Sequence, residues 1–445
     1  MPTIQADASP EKRLFISLLT RDIPLIAAFL DLIDNSINAT VEPHSSRLRS
    51  ADQYLELFGD STITPQVDIN ISLSPDKVEI TDTAGGICAK TAKEHVFKFG
   101  RGNEPSSGTD RLSVYGIGLK RALFKLGNKI VMRSDHVEGG FELKLDVAKW
   151  AKTSEERWTF NITPRKPVPP EKTGTSIVVT ELYDEVTRRL EDGVFESQLR
   201  ESIAKTYAYY LAKFVRINVG KTSIEGINLE LSGNHASESF DFDGVSCAIT
   251  AGIGVPQAGA FRDKSAGWFV FCNGRAVVSA DKSPLTGWGG NGLPIFQPKH
   301  RPFLGTVFFV SDDPERLPWT TTKSAINEDS SVWQATKRQM AVLGRVVISF
   351  LDGRYTDEGT EIPSRDLQEA MGPSKVTPLS VAAGKQKKSF KAPEKVSQPS
   401  VRIQYDALVE DIRKIAKHLK RPGMSGSDVG RHTFHYFLRN EVESG

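Results

Sequence analysis

Apolar and polar positions along this chain change rhythm many times, and the rhythm predicts the elements. From about residue 10 to 190, helical and strand periods alternate. One helical stretch covers 10–20. A second opens with Asp22 as N-cap and Pro24 in its first turn and runs to about residue 40. Within it, "LDLIDNSINAT" (30–40) sets Leu30, Ile33 and Ile37 at i, i+3 and i+7, the core stripe of an amphipathic helix. "QVDINISLS" (66–74) alternates with period two, and "DKVEITD" is a second strand that ends in the turn "TAGG". A helix follows near 90–98. The long glycine- and serine-rich loop "GRGNEPSSGTDRLSVYGIG" then leads into the helix "LKRALFKLG", closed by Gly127. Residues 129–134, 141–147, 158–163 and 175–181 read as strands.

Residues 184–213 read as helical. From 214 to 310 strand signals dominate, in "FVRINVG", "INLELSG", "VSCAITAGIG", "GWFVFCNGRAVV" and "TVFFVS", with a glycine-rich loop at 287–293. A closing helix covers 330–352. A domain boundary is expected near 195, and the second domain is expected to end near 356. Residues 357–399 are rich in Pro, Ser and Lys and read as a disordered linker. Beyond it, "YDALVEDIRKIAKHLK" and "SGSDVGRHTFHYFLRNEV" predict a small two-helix module joined by "RPGMSG".

Composition narrows the class. A chain of 445 residues calls for two or three domains. The longest apolar run is broken by Pro24 and Asp31 and is too short to span a bilayer. The start, "MPTIQADASPEKR", has no secretory pattern. The three cysteines, Cys88, Cys247 and Cys272, have neither metal-ligand nor disulfide-framework spacing. A cytoplasmic location is therefore expected. Net charge is only +2, so bulk charge does not identify a nucleic-acid binder. The distribution is uneven, however: residues 371–400 hold six lysines and one acidic residue.

Chemistry enters where polar groups interrupt the core helix. Asp31, Asn35 and Asn38 recur at i, i+4 and i+7 and share one stripe beside the apolar one. Such a face can hold Mg²⁺ through the Asn35 amide oxygen while an acid activates water, because Mg²⁺ keeps most of its own waters. A capped or solvated helix face is the plain alternative. In "EITDTAGGI", Asp82 ends a strand ahead of Gly85 and Gly86. A carboxylate there can accept a hydrogen bond from an exocyclic amine, and the small residues admit a flat ring. An ordinary turn explains the same residues. "YGIGLKRA" sets Gly116 and Gly118 before a helix, where backbone N–H groups can cradle phosphates, with Lys120 adding charge. "KTGTSIVV" supplies Thr175, and "LPWTTTKSAI" supplies Lys323 in a loop.

In this order these segments resemble the GHKL ATPases (gyrase, the large heat-shock chaperone, histidine kinases and MutL) over roughly residues 10–355. The family's E-x-x-x-N motif is matched by "DLIDNSINA", which implies Asp31 as general base and Asn35 as Mg²⁺ ligand. "DTAGG" matches D-x-G-x-G, with Asp82 reading adenine, Gly86 matching the second glycine and Ala84 replacing the first. Gly116, Gly118 and Lys120 match the lid and phosphate segment, and Thr175 matches the threonine on the adenine side. "FCNGRAV" resembles the transducer strand of gyrase, MutL and the chaperone, and Lys323 matches the loop lysine that reaches the γ-phosphate. The implied fold is α+β: a Bergerat-type α/β sandwich ATPase domain (1–195), an α/β transducer domain (196–356), a basic linker (357–399) and a helical C-terminal module (400–445).

Asp31 is one methylene shorter than the usual glutamate, a deficit of roughly 1.3 Å. The layout, with "FKFGRG" and "LTRDIPLIAAFLDLIDNS", looks closest to MutL and the MORC ATPases with their bacterial relatives, a subgroup in which Asp at the base position is usual. The resemblance implies ATP and Mg²⁺ as cofactors and an ATP-dependent homodimer. Residues 1–22, with Phe15, Leu18 and Leu19, are the candidate pairing arm; packing on their own domain is the alternative. It also implies action on DNA with a partner nuclease, helicase or methyltransferase, as in restriction or phage defence. Lys385, Lys387, Lys388, Lys391 and Lys395 are candidate phosphate contacts. The rival readings are a chaperone-like ATPase, a non-hydrolysing ATP switch and a protein kinase.

Overall fold

The computed structural model describes residues 11–41, 43–44, 48–100, 112, 116–153, 158–257, 261–290, 292–358, 375–378, 388–391 and 403–442. Its alternating segments pair into two sheets. The first contains β1 (Val67–Leu73), β2 (Lys77–Asp82), β3 (Gly127–Asp135), β4 (Phe141–Asp146), β5 (Ile162–Pro164), β6 (Gly174–Leu182), β7 (Val215–Val219) and β8 (Thr222–Ser223). Their order is β5-β4-β3-β6-β2-β1-β7-β8. Only the β1–β7 pair is parallel.

Period two makes this sheet one-sided. Val67, Ile69 and Ile71 of β1 and Val78 and Ile80 of β2 are buried. The polar face carries cross-strand pairs such as Arg216–Asp68 at 2.6 Å and Asn218–Asn70 at 2.9 Å.

Helices accompany the sheets: α1 (Lys12–Thr20), α2 (Leu25–Val41), α3 (Ala51–Gly59), α4 (Ala89–Thr91, continued by a π-type turn at Ala92–Val96), α5 (Gly118–Leu126), α6 (Val147–Trp150), α7 (Asp184–Glu191), α8 (Val194–Thr206), α9 (Ala208–Lys213) and α10 (Ser331–Glu358). The α2 helix lies along α5 and over β1, burying Phe29, Ile33, Ile37 and Val41. It starts at Leu25 rather than at Asp22, because the Pro24 carbonyl accepts the first helical bond, from Ala28 N–H at 3.3 Å. The α1 helix packs on its own unit. Phe15 sits edge-on to Phe99 and Trp158, at 4.9 and 5.0 Å between ring centroids. Leu14 and Leu18 of α1 stay exposed.

The second sheet contains β9 (Glu230–Phe242), β10 (Val245–Gly254), β11 (Gly267–Cys272), β12 (Arg275–Asp281), β13 (Phe303–Val310) and β14 (Val376–Pro378), in the order β12-β11-β13-β10-β9-β14. Both β11 and β13 are buried along their whole length, which is why they read as continuous apolar runs. One face carries α10. On the other, Tyr209 of α9 meets Phe271 and Phe308 at 5.0 and 5.1 Å. Asn273 and Gly274, at φ +47° and +81°, form the two-residue turn between β11 and β12. That pair of left-handed residues is the hairpin chemistry of Asn-Gly, and it sets Arg275 at the first position of β12.

One compact unit spans Met1–Glu394 and a second spans Lys395–Gly445. The first sheet takes β7 and β8 from beyond residue 195, and both sheets lie in the first unit. The segment 357–399 was expected to be a disordered linker, and its described parts correct that reading. Val376–Pro378 adds to the free edge of β9, Lys388 bridges to Ser237, and Phe390 meets Phe350 at 5.7 Å. An unpaired edge and an apolar contact order these short pieces despite their polar surroundings.

The second unit holds α11 (Val409–His418) and α12 (Gly426–Phe437), and Ser425 caps α12 through its bond from Asp428 N–H. Among the described residues, no helix is long and apolar enough to cross a membrane.

Candidate functional site

The register of the first sheet assembles one end of the site. Asp82 closes β2 opposite Thr175 of β6, and Thr175 in turn faces Ser134 of β3. Asp82 is thus brought beside α2, where the Ser36 hydroxyl donates to its Oδ2 at 2.7 Å. The backbone N–H groups of Ala84 and Thr175 donate to Oδ1 at 2.9 and 3.3 Å. Burial pushes the Asp82 pKa up, and these three hydrogen bonds oppose the rise without cancelling it. The Thr175 and Ser134 hydroxyls lie 3.1 Å apart. Gly86 has φ +69°, and a Cβ there would fall 2.0 Å from the Asp135 carbonyl oxygen, so only glycine fits.

The other end forms where α2 meets α5. Asp31 is buried and ion-paired: Arg121 of α5 donates to its Oδ2 from Nε at 2.9 Å and from Nη2 at 2.5 Å. The other oxygen, Oδ1, lies 3.9 Å from the Lys323 ammonium. Gly118, the first residue of α5, faces Asp31, and a Cβ there would lie 3.4 Å from the Asp31 Cγ, an ordinary packing distance. Gly116 is left-handed at φ +61°. Asn35 donates from Nδ2 to the Asp31 carbonyl at 3.0 Å, and its Oδ1 has no partner among the described residues. The Asn38 Oδ1 accepts the Leu112 N–H at 2.8 Å, tying α2 to the long loop. Residues 101–111 and 113–115 of that loop lie outside the described residues.

Lys120 is not where the motif resemblance puts it. Its side chain is buried, and the ammonium donates to the carbonyls of Val96 and Lys98 at 2.8 and 2.5 Å, above the Phe99 ring. Burial pulls its pKa down to about 8. On a helix, residue 120 points about 100° away from residue 121. Arg121 therefore turns toward Asp31 and Lys120 turns away from it.

Sequence reasoning missed four partners: Arg121, Ser36, Asp34 and Tyr207. Asp34 is fully buried. It receives Lys323 Nζ at 2.6 Å, Arg275 Nε at 3.0 Å and the Tyr207 hydroxyl at 2.7 Å. Burial raises the Asp34 pKa, but the Arg275 and Lys323 charges and the hydrogen bonds outweigh it, so the carboxyl lies below its usual range. The one available signal was a second acid three residues past Asp31 on the same helix. Among the described residues, the structure thus gathers Asp31, Asn35, Asp82, Gly86, Gly118, Thr175 and Lys323 along α2 and its neighbours, and turns Lys120 away.

Residues 24–175 match the family model described as histidine kinase-, DNA gyrase B-, and HSP90-like ATPase. This span holds α2, the Asp82 turn, the α5 entry and Thr175, and the match supports ATP binding and hydrolysis in general terms. No curated protein matches the chain.

Proposed function

We propose that the chain is an Mg²⁺-dependent ATPase of the GHKL type, in which ATP closes a homodimeric clamp that works on DNA with partner enzymes, in the manner of MutL and MORC. The observation that carries the reading is the single helix α2, which contributes side chains to both ends of the site. Ser36 bonds the base-reading Asp82. Asn35 leaves an amide oxygen for a cation. Asp31 lies between Arg121 and Lys323.

In this mechanism Asp82 accepts the adenine amine. Asp31 orients the attacking water through Oδ1, while Arg121 holds Oδ2. The water oxygen bonds to the terminal phosphorus, the bond to the leaving ADP oxygen breaks, and the water proton passes by way of Asp31 to the products. Lys323 neutralises charge that develops on the transferred group. Mg²⁺ fits the donor set, since one hard amide oxygen from Asn35 suffices for an ion that keeps its waters. When bound, it supplies charge neutralisation on the phosphate oxygens.

Support for dimer closure comes from Leu14 and Leu18, exposed one turn apart on α1. Support for DNA comes from the lysines of residues 371–400. The Arg121 bonds also favour a second reading, a nucleotide switch that binds without turnover, because a carboxylate oxygen spent on a guanidinium is a weaker base.

The test is phosphate release from Mg·ATP, with and without DNA, for the wild type and Asp31→Asn, with sedimentation in ATP and in ADP alongside. Turnover that falls by about 10²–10⁴-fold in the variant is expected. Equal rates would remove Asp31 from catalysis. ATP binding with no wild-type turnover would install the switch reading.

A further inference from the structure

The ATPase reading gives no role to Asp34, a buried carboxylate that accepts from three side chains. Its three donors come from three separate places: Tyr207 between α8 and α9, Arg275 after the Asn-Gly turn, and Lys323 in the loop beyond β13. Arg275 also holds the backbone of that loop, donating from Nη1 to the Lys323 carbonyl at 2.6 Å. Lys323 itself has φ +53°, a left-handed conformation that a lysine keeps only when its surroundings fix it.

The charge arrangement is uneven in a telling way. The buried set comprises two acids, Asp31 and Asp34, and three cations, Arg121, Arg275 and Lys323. Each acid has an arginine of its own: Asp31 has Arg121, and Asp34 has Arg275. Lys323 is the shared and surplus cation, at 2.6 Å from Asp34 and 3.9 Å from Asp31. Removing it strands neither carboxylate, whereas removing either arginine would leave an acid short of its partner. A surplus buried cation on a flexible stem is suited to changing partners.

We infer that Asp34 is a positioning residue that parks the Lys323 ammonium beside Asp31 and yields it to the terminal phosphate of ATP, with Arg275 keeping Asp34 paired throughout. This rests on the ATPase reading. ADP lacks the group that draws Lys323 away, so only ATP loosens the hold of α2 on the 320–326 loop. A ligand shifts such an equilibrium only by its difference in affinity for the two arrangements.

Calorimetric titration with Mg·ADP and with a non-hydrolysable Mg·ATP analogue tests this in wild type, Asp34→Asn, Lys323→Met and the double variant. Asp34→Asn keeps the shape of the side chain and drops the charge that competes for Lys323. It should bind the ATP analogue about tenfold more tightly and leave ADP unchanged. Lys323→Met should lose the preference for the ATP analogue over ADP, and the double variant should match Lys323→Met. Equal shifts for both nucleotides, or an Asp34→Asn effect that persists without Lys323, would overturn the proposal.

Hydrogen exchange of residues 320–326 covers the case in which Asp34→Asn does not fold. Wild type should show faster exchange there with the ATP analogue than with ADP, and Lys323→Met should show no difference. The same exchange with both nucleotides in wild type would refute the exchange of partners. Wild type that binds neither nucleotide would sink the ATPase reading itself; binding of both without the predicted pattern would sink only the role of Asp34.

Discussion

Arg121→Met tests whether the buried pair holds the site together. The Arg121 and Asp31 side chains are 4% and 1% exposed, so neither charge is solvated, and two guanidinium N–H groups share one carboxylate oxygen. With charge centres about 4 Å apart, the attraction is about 4 kcal/mol at an effective dielectric of about 20. Stranding a buried acid costs about 3–5 kcal/mol. Lys323 lies 3.9 Å from the other oxygen and can recover part of that loss. The expected destabilisation by Arg121→Met is therefore about 2–4 kcal/mol. Asp31→Asn leaves the guanidinium facing a neutral amide and should also destabilise.

The double variant loses both charges together, so the cycle should return a coupling of about 2–3 kcal/mol. Urea unfolding followed by tryptophan fluorescence measures it cleanly. All six tryptophans fall between Trp150 and Trp333, inside the first compact unit, so the signal is silent about residues 395–445. A coupling below about 0.5 kcal/mol would show that the two residues act independently, and the clamp on Asp31 would be refuted.

Two further outcomes follow from the same geometry. Asp82→Asn should weaken ATP binding by about 10–100-fold, since a charged acceptor is lost, while the urea midpoint stays the same or rises because a desolvated carboxylate is gone. In wild type the raised Asp82 pKa means that protonation, and with it loss of ATP affinity, sets in at a higher pH than for an ordinary aspartate. Titration across acid pH checks both points. Lys120, with a pKa near 8 against about 10.4 unfolded, is less protonated in the folded than in the unfolded state between those values. Wild-type stability should therefore rise with pH from about 8 to 10.4 relative to Lys120→Met, and urea midpoints at the two ends of that window decide it.

Much of the fold was legible in local pattern. The core stripe of α2 showed in the spacing of Ile33 and Ile37, and β1 in the alternation of Val67, Ile69 and Ile71. The β11–β12 hairpin was written in Asn273-Gly274. Asp82, Gly86 and Thr175 were singled out because short motifs kept their order along the chain, and the sheet register sets Asp82 opposite Thr175. The α3 helix and the strand at Val376–Pro378 were not foreseen, for a strand three residues long leaves no period to read.

By itself the sequence determined the longer helices and strands, because period and turn chemistry are local. Only the tertiary structure decided how the charges pair. Asp31 meets Arg121 across 90 positions, and Asp34 meets Tyr207, Arg275 and Lys323 across 173, 241 and 289. No local rule distinguishes Lys120 from Arg121, its neighbour on α5. The rotation of one helix against another sent the first to the Val96 and Lys98 carbonyls and the second to the acid. Buried charges choose partners by what packing brings within reach, and packing is settled only when the whole chain has folded.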